Sequence, residues 1–426
     1  MIRVLRLEDP SDRLQALALR ATARTGSEVP AAVAAIIGDV RARGDAAVRE
    51  LTERFDGARL ESLFLDEDRW NALAEKCPAP VREALNVAHE RVRSFHAHQI
   101  PASYAMELEA GGVVRCLTIP LQRAACYVPG GRAAYPSTVV MTVTVARLAG
   151  VPEIIVATPP RRDGSILPEV AAAARIAGAT RILLAGGAQA IAALALGTAT
   201  IPRVDVIVGP GNAYVTEAKK QLSGEVRIDS LAGPTEVVIV ADSSADPRQI
   251  AADLVAQAEH DPLALSVLVT PDASLAQRTV EALQSELAAH PNRVAAESLP
   301  ARGAAVVARG LEEALAFAND LAPEHLELLL REPAAALPKV PRAAAVFVGH
   351  HAPVPVGDYL AGPNHTLPTS GTARFASPLN AADFVRRQNV IEYGPAQLAA
   401  DAGAIESLAR AEGLHGHARA IEVRRK

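Results

Sequence analysis

The 426-residue sequence predicts an α/β protein built from two Rossmann-like parallel-sheet domains, one inserted in the other, with small N-terminal and C-terminal tail elements. Three observations predict it. Short apolar runs alternate repeatedly with helical stretches, the signature of βαβ units and parallel sheets. Hydrophobic residues make up 50% of the chain and aromatic residues only 3%, so the core must be aliphatic, as buried parallel strands are. The length also exceeds what one hydrophobic core ordinarily serves.

Residues 1–25 carry a strand-like start and an amphipathic helix over Ser11–Ala23, an N-terminal helical arm too small to fold alone. From Glu28 the pattern turns helical over Val29–Arg43, and a second helix runs from Gly44-Asp45 to Arg54 before the turn Phe55-Asp56-Gly57. Helices continue over 66–98 with the sole tryptophan, Trp70. Leu108–Val114, turning at Gly111-Gly112, reads as a hairpin. Buried-strand runs then appear at Ala124–Val128, Ile154–Ala157, Ile182–Ala185, Val206–Val208, Val237–Ala241, Ser266–Thr270 and Ala344–Val348. Helical stretches separate most of them: Ser137–Ala149, Pro168–Ala177, Ala190–Leu196, Ala213–Leu222, Arg248–Glu259 and Ser274–Ala288. Seams near Leu121–Tyr127 and Ser230–Thr235 divide the chain into a larger discontinuous α/β domain (26–126 and 236–378), an inserted α/β domain (127–235) and a mostly helical C-terminal tail element (379–426). Ligands are expected at the C-terminal edges of the strands.

Composition excludes several functions. A net charge of −5 without a dense Lys/Arg block argues against nucleic acid, whose phosphates need a basic surface. Cys77, Cys116 and Cys126 share no CxxC spacing, which excludes a disulfide scaffold and fits a reducing cytoplasm. The charged first residues lack the apolar stretch of a signal peptide. Ile182–Pro202 is uncharged and long enough to raise a membrane helix. Gly186-Gly187, Gln189, Gly197 and Pro202 cut it into strand, turn and helix, so no membrane association is expected.

Four stretches carry candidate chemistry. In a helix beginning after Asp246-Pro247, Gln257 and His260 lie three residues apart and leave one face, so an amide oxygen and an imidazole can share a cation. Asp358 and His417 are the best suppliers of a further carboxylate and imidazole. In Ala322-Pro323-Glu324-His325, the proline predicts a first helical turn presenting an acid beside an imidazole, suited to two proton transfers or an activated water. The segment from Gly357 to Pro368 is dense in Gly, Pro, Asn, Asp and His, and Glu412 with His415 and His417 forms a tail cluster. No GxGxxG follows any strand. Instead, Pro129-Gly130-Gly131, Gly186-Gly187 and Gly209-Pro210-Gly211-Asn212 each close a strand ahead of a helix, suggesting a nucleotide cleft.

Together these stretches resemble the histidinol dehydrogenase family. The matches are Tyr127-Val128-Pro129-Gly130-Gly131, Gly186-Gly187-Ala188-Gln189-Ala190, Gly209-Pro210-Gly211-Asn212-Ala213, Ala232-Gly233-Pro234-Thr235-Glu236-Val237, Gln257-Ala258-Glu259-His260, Pro323-Glu324-His325-Leu326, Gly357-Asp358-Tyr359 with Gly362-Pro363-Asn364-His365, and Glu412-Gly413-Leu414 with His417. They run in family order from Tyr127 almost to the end. The resemblance implies a homodimer that oxidises L-histidinol to L-histidine through L-histidinal with two NAD, the last step of histidine biosynthesis. It implies one zinc per subunit held by Gln257, His260 and Asp358, with His417 from the other subunit as the tails exchange. Glu324 and His325 would be the acid–base pair, and Tyr127, Gln189 and Asn212 the NAD-contacting residues. Thr235, Gln257, His260, Glu324, His325, Asp358, Glu412 and His417 match the substrate contacts. Thr235 departs from the serine more common there; it keeps the hydroxyl and adds a methyl, which bears on substrate preference. His415 has no assigned role.

Three other readings compete: a paralogous zinc- and NAD-dependent dehydrogenase for another small alcohol or diol, a zinc hydrolase or lyase without NAD turnover, and a non-catalytic metal-binding scaffold. For the second oxidation, a thiohemiacetal on Cys126 competes with water activated by Glu324.

Overall fold

The computed structural model describes residues 2–21, 28–130, 135–289 and 293–425. Gly131, the last residue of the first glycine loop, lies outside them, as do the end of the predicted Ser11–Ala23 helix and Lys426.

Two all-parallel sheets dominate. The larger has six strands, in the spatial order Arg3–Arg6, Gly303–Val307, Leu265–Thr270, Glu236–Ala241, His325–Leu329 and Ala345–Val348. Its inner strands are buried along their whole length, as in Glu236–Ala241 and Leu265–Thr270, which is why their apolar runs are continuous rather than alternating. The smaller has five strands, in the order Arg181–Leu184, Glu153–Thr158, Arg123–Tyr127, Val206–Val208 and Arg227–Ile228. A three-stranded antiparallel sheet completes the set. Its central strand Val113–Pro120 pairs with Tyr104–Glu107 on one side and Val385–Glu392 on the other.

Two parallel sheets with one sheet's sequence lying inside the other's bear out the fold class. The partition around them differs from the expected one. The helices Val29–Arg43, Asp45–Asp56, Glu67–Glu75 and Ala79–His96, grouped in the sequence with the larger domain, pack on the five-stranded sheet and its helices. Val33, Val40 and Val48 share a core cluster with Ile191 and Ile207, and Trp70 shares one with Val170 and donates its indole N–H to the Ala171 carbonyl at 2.8 Å. Contacts between elements far apart in sequence leave no mark in local pattern. The N-terminal arm docks too, adding Arg3–Arg6 in parallel to Gly303–Val307.

The C-terminal segment contributes a strand, Val385–Glu392, as well as the helices Pro395–Ala411 and His415–Glu422. The uncharged stretch Ile182–Pro202 is cut as expected, into the end of the strand Arg181–Leu184 and the helix Gly187–Leu196, and no helix among the described residues is long and apolar enough to cross a membrane.

One expectation about local structure fails. Pro323-Glu324-His325 does not open a helix: His325 begins the strand His325–Leu329, paired on both sides and buried throughout. The apolar run Leu326–Leu330 has the length of a buried strand, and tertiary pairing overrides the helix-start signal of the proline. The expected placement of ligands at C-terminal strand edges also needs division. The glycine loops of the five-stranded sheet lie at such edges, whereas Thr235, Glu324 and His325 gather at the N-terminal edge of the six-stranded one.

Candidate active site

Parallel pairing of Glu236–Ala241 with His325–Leu329 sets His325 opposite Val237, so the residues preceding both strands meet. Gln257 Nε2 donates to Thr235 Oγ1 at 2.5 Å, and the Thr235 hydroxyl donates in turn to Glu324 Oε2 at 2.6 Å. The Glu236 amide donates to the same Oε2 at 2.8 Å. Thr235 therefore serves as a relay between the amide and the carboxyl, a role that needs its hydroxyl and tolerates its methyl. Burial pushes the Glu324 carboxyl up to about 7, against the lowering influence of His325 and the Thr235 hydrogen bond.

His325 Nδ1 lies 2.9 Å from the Glu236 carbonyl, which can only accept, so Nδ1 carries the hydrogen. In the neutral ring this leaves the Nε2 lone pair free. Nε2 is buried without a hydrogen-bond partner, and Asp358 Oδ1 lies 4.0 Å away. An oriented, unpartnered imidazole nitrogen next to a carboxyl poised near neutrality is an arrangement for moving protons.

Gln257 sits in the last turn of the helix Pro247–Ala258, whose start is capped by Asp246. With Nε2 committed to Thr235, its Oε1 is buried and has no donor. His260 follows just past the helix end, exposed, its amide reaching back to the Gln257 carbonyl at 3.4 Å. Asp358 lies in the short helix Val354–Tyr359 and is partly buried. An orphaned amide oxygen, a carboxylate and an imidazole form a donor set that suits zinc. Among the described residues no three His, Cys, Asp or Glu side chains stand close enough to hold an ion. Only two of the three ligands expected from one chain belong to those types.

His365, quoted in the family motif without a role, joins the group. It feels Asp358, His325 and His260 as charged neighbours, burial lowers its pKa, and its Nε2 has no partner. Its neighbour Asn364 anchors the loop, donating to the Met141 carbonyl at 2.7 Å. A cavity of about 810 Å³ opens beside His325, Asp358 and His365 and extends past Phe347 toward His96 and Gln99. Glu412 and His417 are not brought to this cluster within the single chain. Both are exposed, and the helix carrying His417 packs on Pro395–Ala411.

The glycine loops all close strands of the five-stranded sheet. Its strand order reverses between Arg123–Tyr127 and Val206–Val208, the kind of switch point where nucleotides bind. Asn212 is exposed there and caps the helix Ala213–Leu222 through Oδ1. Tyr127 and Gln189 are buried, 3% and 2% exposed, beneath the loop. Tyr127 Oη accepts the Gly187 N–H at 3.1 Å, and burial pushes its phenol up to about 12. Gly209 has φ 109°, and a Cβ there would meet the Tyr127 carbonyl oxygen at 2.1 Å, so only glycine fits. Two supports of this loop escaped the sequence reading. Asp229 Oδ2 accepts the Gly209 N–H at 2.7 Å, and Lys219 Nζ donates to the Gly209 carbonyl at 2.6 Å and to Asp229 Oδ1 at 2.7 Å.

Two further acidic side chains lie behind the cluster. Glu327 is fully buried, and its Oε1 accepts the Val354 N–H at 2.9 Å at the start of the helix carrying Asp358. Its Oε2 has no donor and its carboxyl meets that of Asp253, on the helix carrying Gln257. Burial raises the pKa of both, Asp253 to about 6. Cys126 is fully buried, its thiol pushed up to about 12 by desolvation, which removes the thiolate that a thiohemiacetal route needs.

A family model described as histidinol dehydrogenase matches residues 19–425. A histidinol dehydrogenase of Prochlorococcus marinus is 47% identical over 412 residues, covering 96% of this chain and 93% of the relative. One from Synechococcus sp. is 48% identical over 399 residues, covering 93% and 92%. The crystal structure of histidinol dehydrogenase from Elizabethkingia anophelis superposes with a TM-score of 0.92 at 32% identity, covering 99% of this chain and 98% of that one.

Proposed function

The chain belongs to the histidinol dehydrogenase family, and from that premise we propose that it oxidises L-histidinol to L-histidine through L-histidinal in two steps, with zinc and two NAD, as a cytoplasmic homodimer. The observation that carries this reading is the hydrogen-bonded line Gln257–Thr235–Glu324, set beside a His325 whose free nitrogen is fixed by the Glu236 carbonyl. Gln257, His260 and Asp358 would hold zinc, with the partner subunit's His417. When bound, the metal would fix the substrate's imidazole and amino nitrogens, and NAD beside the glycine loops and Asn212 would accept hydride.

The chain's own residues supply the proton chemistry. His325 Nε2 takes the hydroxyl proton as the carbinol carbon loses hydride. Glu324, ionised, takes a proton from the water that adds to the aldehyde carbon, and the resulting hydrate loses the second hydride. The oriented Nδ1–H of His325 holds the ring while Nε2 gains and gives up the proton. Thr235, His365 and the cavity wall shape the space around the reacting carbon, with Glu412 of the partner subunit as a further substrate contact.

The test is an assay of L-histidinol against several small diols with NAD. The reading requires two NADH per histidine, activity lost on chelation and restored by zinc, and little turnover of the diols. Turnover without NADH would point to a zinc hydrolase or lyase, and preferred turnover of a diol to the paralogous dehydrogenase.

A further inference from the structure

Arg20 stands in the last turn of the helix Pro10–Ala21, in the N-terminal arm, and takes no part in the chemistry proposed above. Its guanidinium nevertheless reaches beneath the Glu324–His325 pair. Nε and Nη2 donate to Oε1 and Oε2 of Glu236, each at 2.8 Å, a two-pronged pairing with a carboxylate that is only 3% exposed. The third nitrogen, Nη1, donates to the Leu321 carbonyl.

Both anchor points lead directly to the acid–base pair. Glu236 is the residue whose amide holds Glu324 and whose carbonyl orients His325. Leu321 ends the helix Leu311–Leu321, and from it Ala322, left-handed at φ 43°, and Pro323 turn the chain into Glu324. A left-handed alanine is a strained conformation that its surroundings must hold in place. One side chain thus ties the backbone that cradles the pair to the turn that delivers it.

We propose that Arg20 is a positioning residue for Glu324 and His325, acting through Glu236 and the Leu321–Pro323 turn. The inference rests on the reading of those two residues as the acid–base pair. Lysine keeps the charge at this position but cannot span a carboxylate and a carbonyl with one planar fork. Loss of the fork lets the Glu236 backbone drift, and small misplacements at a reacting centre are expensive in rate.

The experiment compares Arg20→Lys, Arg20→Met and the double variant Arg20→Met with Glu236→Gln, reading kcat, KM and melting temperature. Arg20→Lys should melt near the wild type and lose about tenfold in kcat or more, with KM for L-histidinol changed far less. The double variant, relieved of an unpaired buried carboxylate, should recover its melting temperature but not its kcat. If Arg20→Met fails to fold, the other two variants carry the same comparison. Wild-type kcat in Arg20→Lys, or in a double variant that also melts normally, overturns the inference, because the arginine would then only neutralise a buried charge. Glu324→Gln and His325→Asn measured alongside separate the two ideas. Full activity in those variants sinks the acid–base reading, whereas activity lost there and kept in the Arg20 variants sinks this inference alone.

Discussion

The proton-acceptor role proposed for Glu324 rests on a competition between burial, which raises its pKa, and His325 with the Thr235 and Glu236 donors, which restrain the rise. The outcome, a carboxyl near 7, decides its pH behaviour. It can activate water only when ionised, so oxidation of added L-histidinal should fall by about tenfold per pH unit below its pKa, and a flat profile down to pH ~5 would contradict the role. Glu324→Gln should stall the aldehyde step by about a hundredfold or more while affecting the alcohol step much less, as single-turnover NADH traces would record. Equal loss in both steps would deny the division of labour with His325. Cys126→Ser should keep its activity, since the thiol is buried and held protonated. At this scale the sequence was informative about which side chains matter and silent about their settings. Family resemblance pointed to Glu324 and His325, yet nothing local told that a carbonyl of Glu236 would choose the imidazole tautomer, or that His365 would turn inward among them.

The elements that carry the site are joined behind it by the Asp253–Glu327 carboxyl pair, which links the helix of Gln257, the strand of His325 and the helix of Asp358. Asp253 ionises near 3.8 in the unfolded chain and at about 6 in the folded one. Between those values the folded protein retains a proton that the unfolded chain has released, and Glu327, whose carboxyl is raised well above its ordinary value, retains one in the same way, so the pair's contribution to stability declines as pH rises through the interval and goes on declining until Glu327 ionises too. Glu327→Gln keeps an acceptor for Val354 and offers Asp253 a donor. It should therefore raise the melting temperature at pH ~8 relative to the wild type more than at pH ~4, and a lower melting temperature at both would refute this account of two buried carboxyls that hold protons in the folded state. Helices such as Pro168–Ala177 and Ala213–Leu222 were legible to the residue, because proline starts and αL or polar ends punctuate a clear apolar stripe. Gly303–Val307 and His325–Leu329 were not recognised as strands, one being short and small-residue-rich, the other masked by an adjacent proline signal.

For the molecule as a whole, the Glu324–His325 pair and the glycine loops occupy opposite kinds of sheet edge: N-terminal for the six-stranded sheet, C-terminal for the five-stranded one. Alternation of strand and helix announced both sheets, but not that the helices of residues 29–96 would cover the smaller of them, since docking partners far apart in sequence leave no periodic trace. Glu412 and His417 stand exposed in the single chain, which the proposed exchange of tails between subunits accounts for. Mixing two inactive chains, Asp358→Ala and His417→Ala, should then restore about a quarter of wild-type activity, because each mixed dimer rebuilds one intact site. No recovery would place every ligand in one chain.

The strand Val385–Glu392 covers Val113–Pro120 along eight residue pairs, although some 270 positions separate them in sequence. During synthesis the earlier strand therefore waits, its outer row of amides and carbonyls unclaimed, until residues 385–392 have been made. Polypeptides cut short before that point would display a ready template for pairing with other chains, and the cell would meet them as aggregates rather than as slow enzymes.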